Sequence, residues 1–176
     1  MKHNPREISL LAKSFLDVND VAVHVISESI GAEWLKRQKQ AEHLDNLHIF
    51  NFQRFEAMSD VLGSGDVLIA ILEADAGVFS VPSKVLTYLC AQRPLLLSVP
   101  PENLAARIVK ENELGVVVPP GQDEEFIEAA NELYKNPLLR WQYAQNARRY
   151  AEENFDIEKI ASRFLKIIKS QLEKEL

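Results

Sequence analysis

Residues able to bind a phosphorylated ligand are concentrated in one stretch near the middle of the chain. The carboxylates Glu73 and Asp75 follow an apolar run, and a helix is predicted to begin with Pro82 in its first turn, followed by Ser83 and Lys84. Amide groups at the start of a helix attract anions, and Lys84 adds a mobile positive charge. We interpret this stretch as a site for a nucleoside diphosphate.

One further hydroxyl belongs to the same predicted helix face. Thr87 follows Ser83 by four residues, so its hydroxyl is placed one turn further along, where it can meet a sugar hydroxyl. A second interpretation stays open, because Pro-Ser-Lys also makes an ordinary helix start. Glu73 and Asp75 are equally typical of solvated loop acids.

The apolar pattern predicts the elements that must position these residues. Short apolar runs alternate with segments of helical spacing, which predicts an α/β fold: a Rossmann-like parallel sheet with helices on both faces. In such sheets ligands bind beyond the carboxyl ends of the strands. Strands are predicted at residues 21–26, 47–52, 67–72, 94–99 and 116–118, and helices from Pro5 and Ser29 onward and at 55–62, 82–91, 104–111, 123–135, 137–154 and 157–174.

Several local features have specific structural interpretations. Asn4 and Ser29 are predicted helix caps, and residues 63–65 a helix stop, because they precede a strand. The run at 21–26 is apolar on both faces, as in a buried strand. For the apolar stripe of the last helix, core packing is the first interpretation and contact with another domain the second.

Composition limits the classes of function. The 176 residues are enough for one domain, and the net charge of −6 disfavours nucleic-acid binding. The single Cys90 is expected to fill the core and provides no disulfide framework, so a cytoplasmic location is expected. The four histidines lack the spacing of a zinc site, and neither a metal nor a cofactor is expected.

Beyond these patterns, the sequence resembles a known family over nearly its whole length. Residues 78–88, continued by Arg93-Pro94-Leu95-Leu96, resemble the carboxy-terminal, donor-binding domain of retaining glycosyltransferases with the GT-B fold. The resemblance is strongest to bacterial exopolysaccharide and colanic-acid enzymes, within glycosyl transferases group 1. Supporting matches are residues 46–53, 115–121, 146–148 and 154–156.

The resemblance implies a site for a nucleoside diphosphate sugar. It implies that Phe52 and Gln53 lie against the base, although Phe52 is equally suited to the core, and that Lys84 stabilises the departing diphosphate during transfer with retained configuration, without a metal. Glu73 or Asp75 would orient the sugar. The implied donor-binding set is Phe52, Gln53, Asp75, Gly77, Val78, Phe79, Ser80, Pro82, Ser83, Lys84 and Thr87, with Lys84 and Glu73 as catalytic candidates.

The sequence departs from the family pattern at three positions. The two glutamates that members carry eight residues apart are replaced by Phe79 and Thr87, so Thr87 becomes a weaker substitute for a ribose-binding carboxylate. The glycine usually found before the proline-led strand is Gln92. The alternative function is therefore a non-catalytic Rossmann-like module for nucleotide binding or interaction.

The resemblance also implies a domain organisation. Members open this domain with a strand and a glycine-rich turn just before the position of Lys2, after an amino-terminal acceptor domain. We therefore expect residues 1–176 to be one nucleotide-sugar-binding domain of a two-domain enzyme, inactive alone, whose full form works at the inner membrane face. If that first strand is missing, three alternatives stay open. Segment 21–26 pairs directly with segment 67–72, another chain supplies a strand between these two segments, or the sheet is loosened.

Overall fold

The computed structural model describes residues 5–74 and 83–172, which form the α/β fold expected from the sequence. Most predicted strands extend one or two residues beyond the observed ones, whereas several helices begin and end where they were predicted. The strands are β1 (Val23–Ile26), β2 (Leu47–Phe50), β3 (Leu68–Ile71), β4 (Leu95–Ser98) and β5 (Gly115–Val118). The helices are α1 (Arg6–Ser14), α2 (Ile30–Glu42), α3 (Met58–Gly63), α4 (Ser83–Cys90), α5 (Leu104–Glu111), α6 (Asp123–Lys135), α7 (Pro137–Asn154) and α8 (Ile157–Leu172), and a 3-10 turn (Phe55–Ala57) precedes α3.

The strands form two separate parallel ladders. In the first, Val23 of β1 lies opposite Leu47 of β2; in the second, Leu95 of β4 lies between Leu68 of β3 and Gly115 of β5. A Cβ at Gly115 would collide with the Leu95 backbone, so this close approach requires glycine. Over the described ranges β1 and β3 share no ladder, so direct pairing of segments 21–26 and 67–72 is wrong.

One apolar core joins the two ladders on their common face. Leu11 and Phe15 of α1 belong to the same buried cluster as Val23 of β1, Leu96 of β4 and Phe126 of α6. Helix α1 also contacts α2, α6 and β1. The two ladders are therefore held side by side by side-chain packing, without hydrogen bonds between β1 and β3 in the described chain.

The opposite faces of the two ladders differ. Helices α4, α5 and α7 cover the second ladder, and their residues Val85, Val109 and Ala147 belong to the same buried cluster as Leu97. On the first ladder the corresponding face is exposed: the His24 ring centroid lies 5.3 Å from those of both His48 and Phe50. Burial of segment 21–26 on both faces is therefore wrong, because Ala22, His24 and Ile26 are exposed.

Several local predictions are corrected by the structure. Pro5 is the N-cap of α1, and Ser29 is the N-cap of α2 as predicted, but its hydroxyl contacts the Ser27 hydroxyl at 2.9 Å instead of a helix amide. Gly63 ends α3 as predicted, and Arg93 donates hydrogen bonds to the Gly63 and Gly65 carbonyls. Asn4 lies outside the described residues.

Two predictions of core packing are wrong. Cys90 is exposed, because it lies on the outer side of the last turn of α4. The apolar stripe of the last helix is also exposed, with Phe164 64% and Ile168 53% accessible. Helical spacing identified an apolar face but not whether another element covers it. In the parts of the chain that the structure describes, no helix has the combination of length and apolar character that a bilayer crossing requires.

The open edges of β1 and β3 predict a distinct pattern of hydrogen exchange. In parallel strands every second amide points to the partner strand. The amide of His24 points away from β2, and that of Ile69 points away from β4, so both face an open edge. Leu97 instead lies in β4, which has a partner strand on each side. We expect His24 and Ile69 to exchange on the order of a hundredfold faster than Leu97 in NMR-detected exchange. Equal protection of all three would contradict the separation of the ladders.

The backbone at Gln92 predicts a stabilising substitution. Gln92 follows α4 with a φ of 55°, a region that costs a non-glycine residue about 1–2 kcal/mol. We expect Gln92→Gly to raise the free energy of unfolding by about 0.5–1 kcal/mol in urea denaturation, since the greater freedom of glycine in the unfolded chain offsets part of the gain. The control Gln38→Gly, inside α2, should lower it by about 1 kcal/mol.

Candidate functional site

A cavity of about 240 Å³ opens at the carboxyl edge of the second ladder. Three segments meet there: the start of α1, the end of β3 with the residues after it, and the connection from β5 to α6. This is the edge at which α/β sheets bind ligands. The cavity is lined by Arg6, Glu7, Ile71, Leu72, Glu73, Ala74, Pro120, Gly121 and Asp123.

Helix α1 carries Glu7 into the protein interior. Glu7 precedes Leu11 by four residues, so both lie on the same face of the helix, and that face packs against the core. As a result Glu7 is only 8% exposed, although a glutamate carboxyl group in water is ionised at neutral pH. Buried carboxyl groups are uncommon and need hydrogen-bond partners.

The two oxygens of Glu7 have different surroundings. The Ser98 hydroxyl donates to Oε1 at 2.9 Å, and the Gly121 amide approaches the same atom at 3.5 Å. The Oε2 atom is buried and has no hydrogen-bond partner among the residues that the structure describes. Glu7 therefore links the end of β4 to the loop after β5 through one oxygen and retains an unused polar atom.

Burial raises the pKa of the Glu7 carboxyl above its ordinary value. The hydrogen bonds from Ser98 and Gly121 oppose this shift, while the nearby carboxylates Asp123 and Glu73 add to it. The protonated form is thus favoured relative to an exposed glutamate. Because Oε1 already accepts hydrogen bonds, Oε2 is the natural position for the proton, from which it can act as a donor.

The rest of the cavity carries charges of both signs. Arg6 and Asp123 form an ion pair of 3.0 Å at its rim, with the Arg6 side chain 62% exposed. Asp123 begins α6, where a carboxylate interacts favourably with the helix dipole. The cavity thus combines an arginine with three carboxyl groups, a set that can bind the hydroxyl groups of a polar ligand.

Glu73, predicted as a catalytic candidate, lines this cavity beside Glu7. Its position follows from β3, which ends at Ile71 and delivers the next residues to the carboxyl edge. Its role stays a prediction. Asp75, Gly77, Val78, Phe79, Ser80 and Pro82 lie outside the described residues.

The other candidates at α4 lie on the protein surface. Val85 and Leu89 anchor α4 in the core, which leaves Ser83, Lys84 and Thr87 exposed. None of these three belongs to the described lining of the cavity. Although Lys84 is exposed, desolvation by the surrounding protein lowers the pKa of its ammonium group.

Phe52 and Gln53 lie beyond the end of β2. Phe52 is 66% exposed, so the interpretation of this residue as core is wrong. Its amide donates to Glu28 Oε1 at 2.9 Å, and the Gln53 side-chain amide donates to the Asn51 carbonyl at 2.8 Å. These bonds shape the loop, and neither residue belongs to the described lining of the cavity.

Sequence reasoning missed the residues that α1 and α6 contribute. Glu7 was detectable in principle, because its spacing to Leu11 places a carboxylate on an apolar helix face. Pro120 and Gly121 entered the sequence analysis only within the supporting match at residues 115–121. No local sequence pattern marked Arg6 or Asp123 as residues of a binding site. Among the described residues, no group of three or more His, Cys, Asp or Glu side chains could hold a metal ion.

The buried carboxyl predicts a pH-dependent effect of Glu7→Gln. The pKa of the Glu7 carboxyl is higher in the folded protein than in the unfolded chain. Its protonation therefore contributes fully to the free energy of unfolding at a pH below the unfolded-chain pKa, and this contribution is lost as the pH rises through the folded-state pKa. We expect Glu7→Gln to be more stable than wild type in urea denaturation at about pH 7.5, with a smaller difference at about pH 4.

The matched control is Glu128→Gln on the exposed side of α6. It should leave the free energy of unfolding nearly unchanged at both pH values, because surface substitutions usually have small effects. A Glu7→Gln variant with no gain at the higher pH would contradict the raised pKa.

Solved structures show where this fold occurs. WaaG, a glycosyltransferase involved in lipopolysaccharide biosynthesis, superposes with a TM-score of 0.67 at 21% identity, covering 84% of this chain and 38% of WaaG. Anabaena HepE, solved in complex with UDP-glucose, gives 0.72 at 14% identity, covering 92% and 44%. The carboxy-terminal domain of LpcC from Francisella tularensis, a glycosyl transferase group 1 family protein, gives 0.71 at 14% identity, covering 89% and 82%.

These likenesses establish the fold: the chain matches one Rossmann-like half of a GT-B glycosyltransferase. It spans less than half the length of WaaG and HepE. No curated protein gives a significant match. The family profile described as Glycosyl transferases group 1 matches residues 1–136, most of the sequence. The chain therefore belongs to the group 1 glycosyl transferase family.

Proposed function

We propose that this chain is the donor-binding domain of a retaining glycosyltransferase that transfers a sugar from a nucleoside diphosphate to a saccharide or lipid-linked acceptor. The observation that carries the proposal is the polar cavity at the carboxyl edge of β3, lined by Glu73 and Glu7, in a member of this family. Its neighbour HepE was solved with UDP-glucose, which supports a donor of this class.

In this proposal the cavity receives the sugar. Glu73 accepts hydrogen bonds from sugar hydroxyls and orients the ring, while Arg6 adds a cation at the same edge. Glu7 supports this position from behind, since its carboxyl joins the end of β4 to Gly121. Orientation of this kind lowers the barrier because the reacting groups are held in place before reaction.

The diphosphate is proposed to bind at the start of α4. Ser83 offers a hydroxyl donor and Lys84 an ammonium that stabilises the negative charge of the departing diphosphate. Desolvation lowers the pKa of Lys84, and a bound anion would oppose that shift by favouring the protonated ammonium. Thr87 would contact the ribose. No metal is required in this scheme.

The nucleobase is proposed to stack on Phe52. An aromatic ring that is 66% exposed can bury apolar area against a base, which offsets the cost of its exposure. Gln53 is next to it and supplies an amide for hydrogen bonds.

A second domain is proposed to complete the enzyme. The chain spans 38% of WaaG and 44% of HepE, which is consistent with an amino-terminal acceptor domain in the full protein. Catalysis needs the acceptor held against the donor, so we expect this domain alone to bind donor without turnover. We also propose a role in exopolysaccharide synthesis of the colanic-acid type, in the cytoplasm at the inner face of the membrane.

Calorimetric titration tests donor binding directly. We expect at least one of UDP-glucose, GDP-mannose and ADP-glucose to bind the chain, and Lys84→Ala to weaken that binding by about tenfold or more, the value of a charge-assisted hydrogen bond. The matched control is the exposed Lys110→Ala in the last turn of α5, which precedes the start of β5 at the amino edge of the second ladder, away from the carboxyl edge, and should bind as wild type does.

Two outcomes would contradict the proposal. One is a folded chain that binds none of the three donors, which would favour the non-catalytic interaction module. The other is equal binding by the Lys84 variant and the wild type, which would remove the anion site from the start of α4. Circular dichroism of each variant confirms that it is folded.

A further inference from the structure

A second cavity lies at the amino edge of the second ladder, at the opposite end of the strands from the first cavity. This amino-edge cavity has a volume of about 250 Å³. Three segments form it: the residue before β3, the residues just before β4, and the first half of α7. The polar and aromatic side chains in its lining are Asp66, Gln92, Arg93, Arg140, Trp141 and Gln145.

The walls of the amino-edge cavity are held by the core of this chain. Helix α7 packs against α4 and α6, and the buried cluster of α4, α5 and α7 lies behind it. The open edge of β3, where a further strand would pair, is on the other side of that strand from β4. In the proposed function the acceptor meets the donor at the carboxyl edge, so an acceptor domain has to approach the other end of the strands.

Trp141 supplies a flat apolar surface in this cavity. Its side chain is 61% exposed although it lines the cavity. Helix α7 holds it in place, because Ala147 is buried in the core and the Asn136 side chain accepts a hydrogen bond from the Leu139 amide at 3.0 Å at the helix start. A tryptophan on a rigid helix loses little conformational entropy when a ligand binds to it.

Two arginines in the lining are oriented by backbone carbonyl groups. Arg93 donates to the carbonyls of Gly63 and Gly65, and Arg140 donates through Nη1 to two carbonyls in the last turn of α6. A guanidinium group has five N–H donors, so each arginine keeps donors that no described residue accepts. These remaining donors are available to a ligand in a fixed orientation.

Acceptor groups lie in the same cavity as these donors. Asp66 is exposed, and in the described ranges it forms no ion pair with Arg93 or Arg140. Gln92 and Gln145 add side-chain amides, each of which can both donate and accept hydrogen bonds. The cavity therefore presents donors and acceptors beside one aromatic side chain.

This mixture of groups favours a neutral ligand that is rich in hydroxyl groups. An anion would be repelled by the Asp66 carboxylate, and a cation by the two guanidinium groups. A hydroxyl group suits both, because it donates to a carboxylate and accepts from a guanidinium. The C–H groups on one side of a sugar ring also pack well on tryptophan, whose ring face carries partial negative charge.

The size of the cavity limits the ligand to a small unit. Its volume of about 250 Å³ is slightly below the range of roughly 300–1,000 Å³ that is typical of small-molecule sites. A single sugar ring fits such a volume better than a whole nucleotide sugar does.

We propose that the amino-edge cavity binds one ring of a saccharide, packed on Trp141, with its hydroxyl groups bound by Asp66, Arg140 and Gln92. It is a second sugar site, separate from the donor cavity at the carboxyl edge. Its use, to hold a saccharide chain on the enzyme away from the site of transfer, rests on the proposed function, whereas the binding itself does not.

The proposal also gives a reason for the residue at position 92. The family usually has a glycine there, and Gln92 has a φ of 55°, which is unfavourable for a residue with a side chain. Glutamine adds an amide to the cavity that glycine would not provide. Unfavourable backbone conformations of this kind are retained where a side chain serves binding.

NMR titration of the ¹⁵N-labelled chain with methyl glycosides of glucose, galactose and mannose tests the proposal. We expect the indole N–H signal of Trp141 to shift with at least one glycoside at up to about 50 mM, because few contacts give weak binding. The signal of Trp34 in α2 is the internal control and should not move. No shift at Trp141 with any of the three would overturn the proposal.

Two variants test the assigned side chains. Trp141→Ala should lower glycoside affinity by about tenfold or more, and Gln92→Gly by about fivefold, the value of one hydrogen bond. Because Gln92→Gly is expected to raise stability, its loss of binding is not explained by unfolding. The matched control is Gln142→Ala, an exposed residue about 100° around α7 from Trp141, which should bind as wild type does.

Three results with these variants would overturn the assignment. The first is wild-type affinity in both Trp141→Ala and Gln92→Gly. The second is an equal loss of affinity in Gln142→Ala. The third is a shift of the Trp141 signal by inorganic phosphate at lower concentration than by any glycoside, because the arginines would then form an anion site.

Titration with UDP-glucose separates this site from the donor site. Trp141→Ala should bind UDP-glucose as wild type does, and Phe52→Ala should retain the glycoside-dependent shift of Trp141. Loss of either would overturn the separation of the two sites. A wild-type chain that binds a glycoside at Trp141 but no nucleotide sugar would contradict the proposed function and support the amino-edge site.

Discussion

The packing of α1 across both ladders is the interaction on which the structure depends. Leu11, Ala12 and Phe15 are almost fully buried and share a cluster with Val23 of the first ladder and Leu96 of the second. Since no described hydrogen bonds join β1 to β3, apolar burial, at about 25 cal/mol per Å², holds the two ladders together. The same helix delivers Glu7 to the carboxyl edge, so fold and cavity have a common support.

The cavity shows how burial and hydrogen bonding compete at one carboxyl group. Desolvation disfavours the charged form of Glu7, and the Ser98 hydroxyl compensates for part of that cost. Through its Oε1 atom Glu7 connects the end of β4 to the loop at Gly121. Buried polar groups with incomplete partners occur where a structure is organised for binding.

The molecule separates its charge and its apolar surface. The body, with its acidic balance, buries two apolar clusters to which α1, α4, α5, α6 and α7 contribute, whereas α8 is basic and its apolar stripe is exposed. The cavity and α8 therefore differ in physical character: the first is a polar site for a small ligand, and the second is an extended surface. Group 1 family membership bears on the first of these.

The sequence by itself determined the properties that depend on near neighbours in the chain. Helical spacing and turn residues located α5, α6 and α7 to the residue, and β3 placed Glu73 at the carboxyl edge, because periodicity and chain direction are local. Only the tertiary structure decided which faces are covered. The division into two ladders, the burial of Glu7 and the exposure of His24, Cys90 and α8 depend on elements distant in sequence, and no local pattern records whether such an element is present.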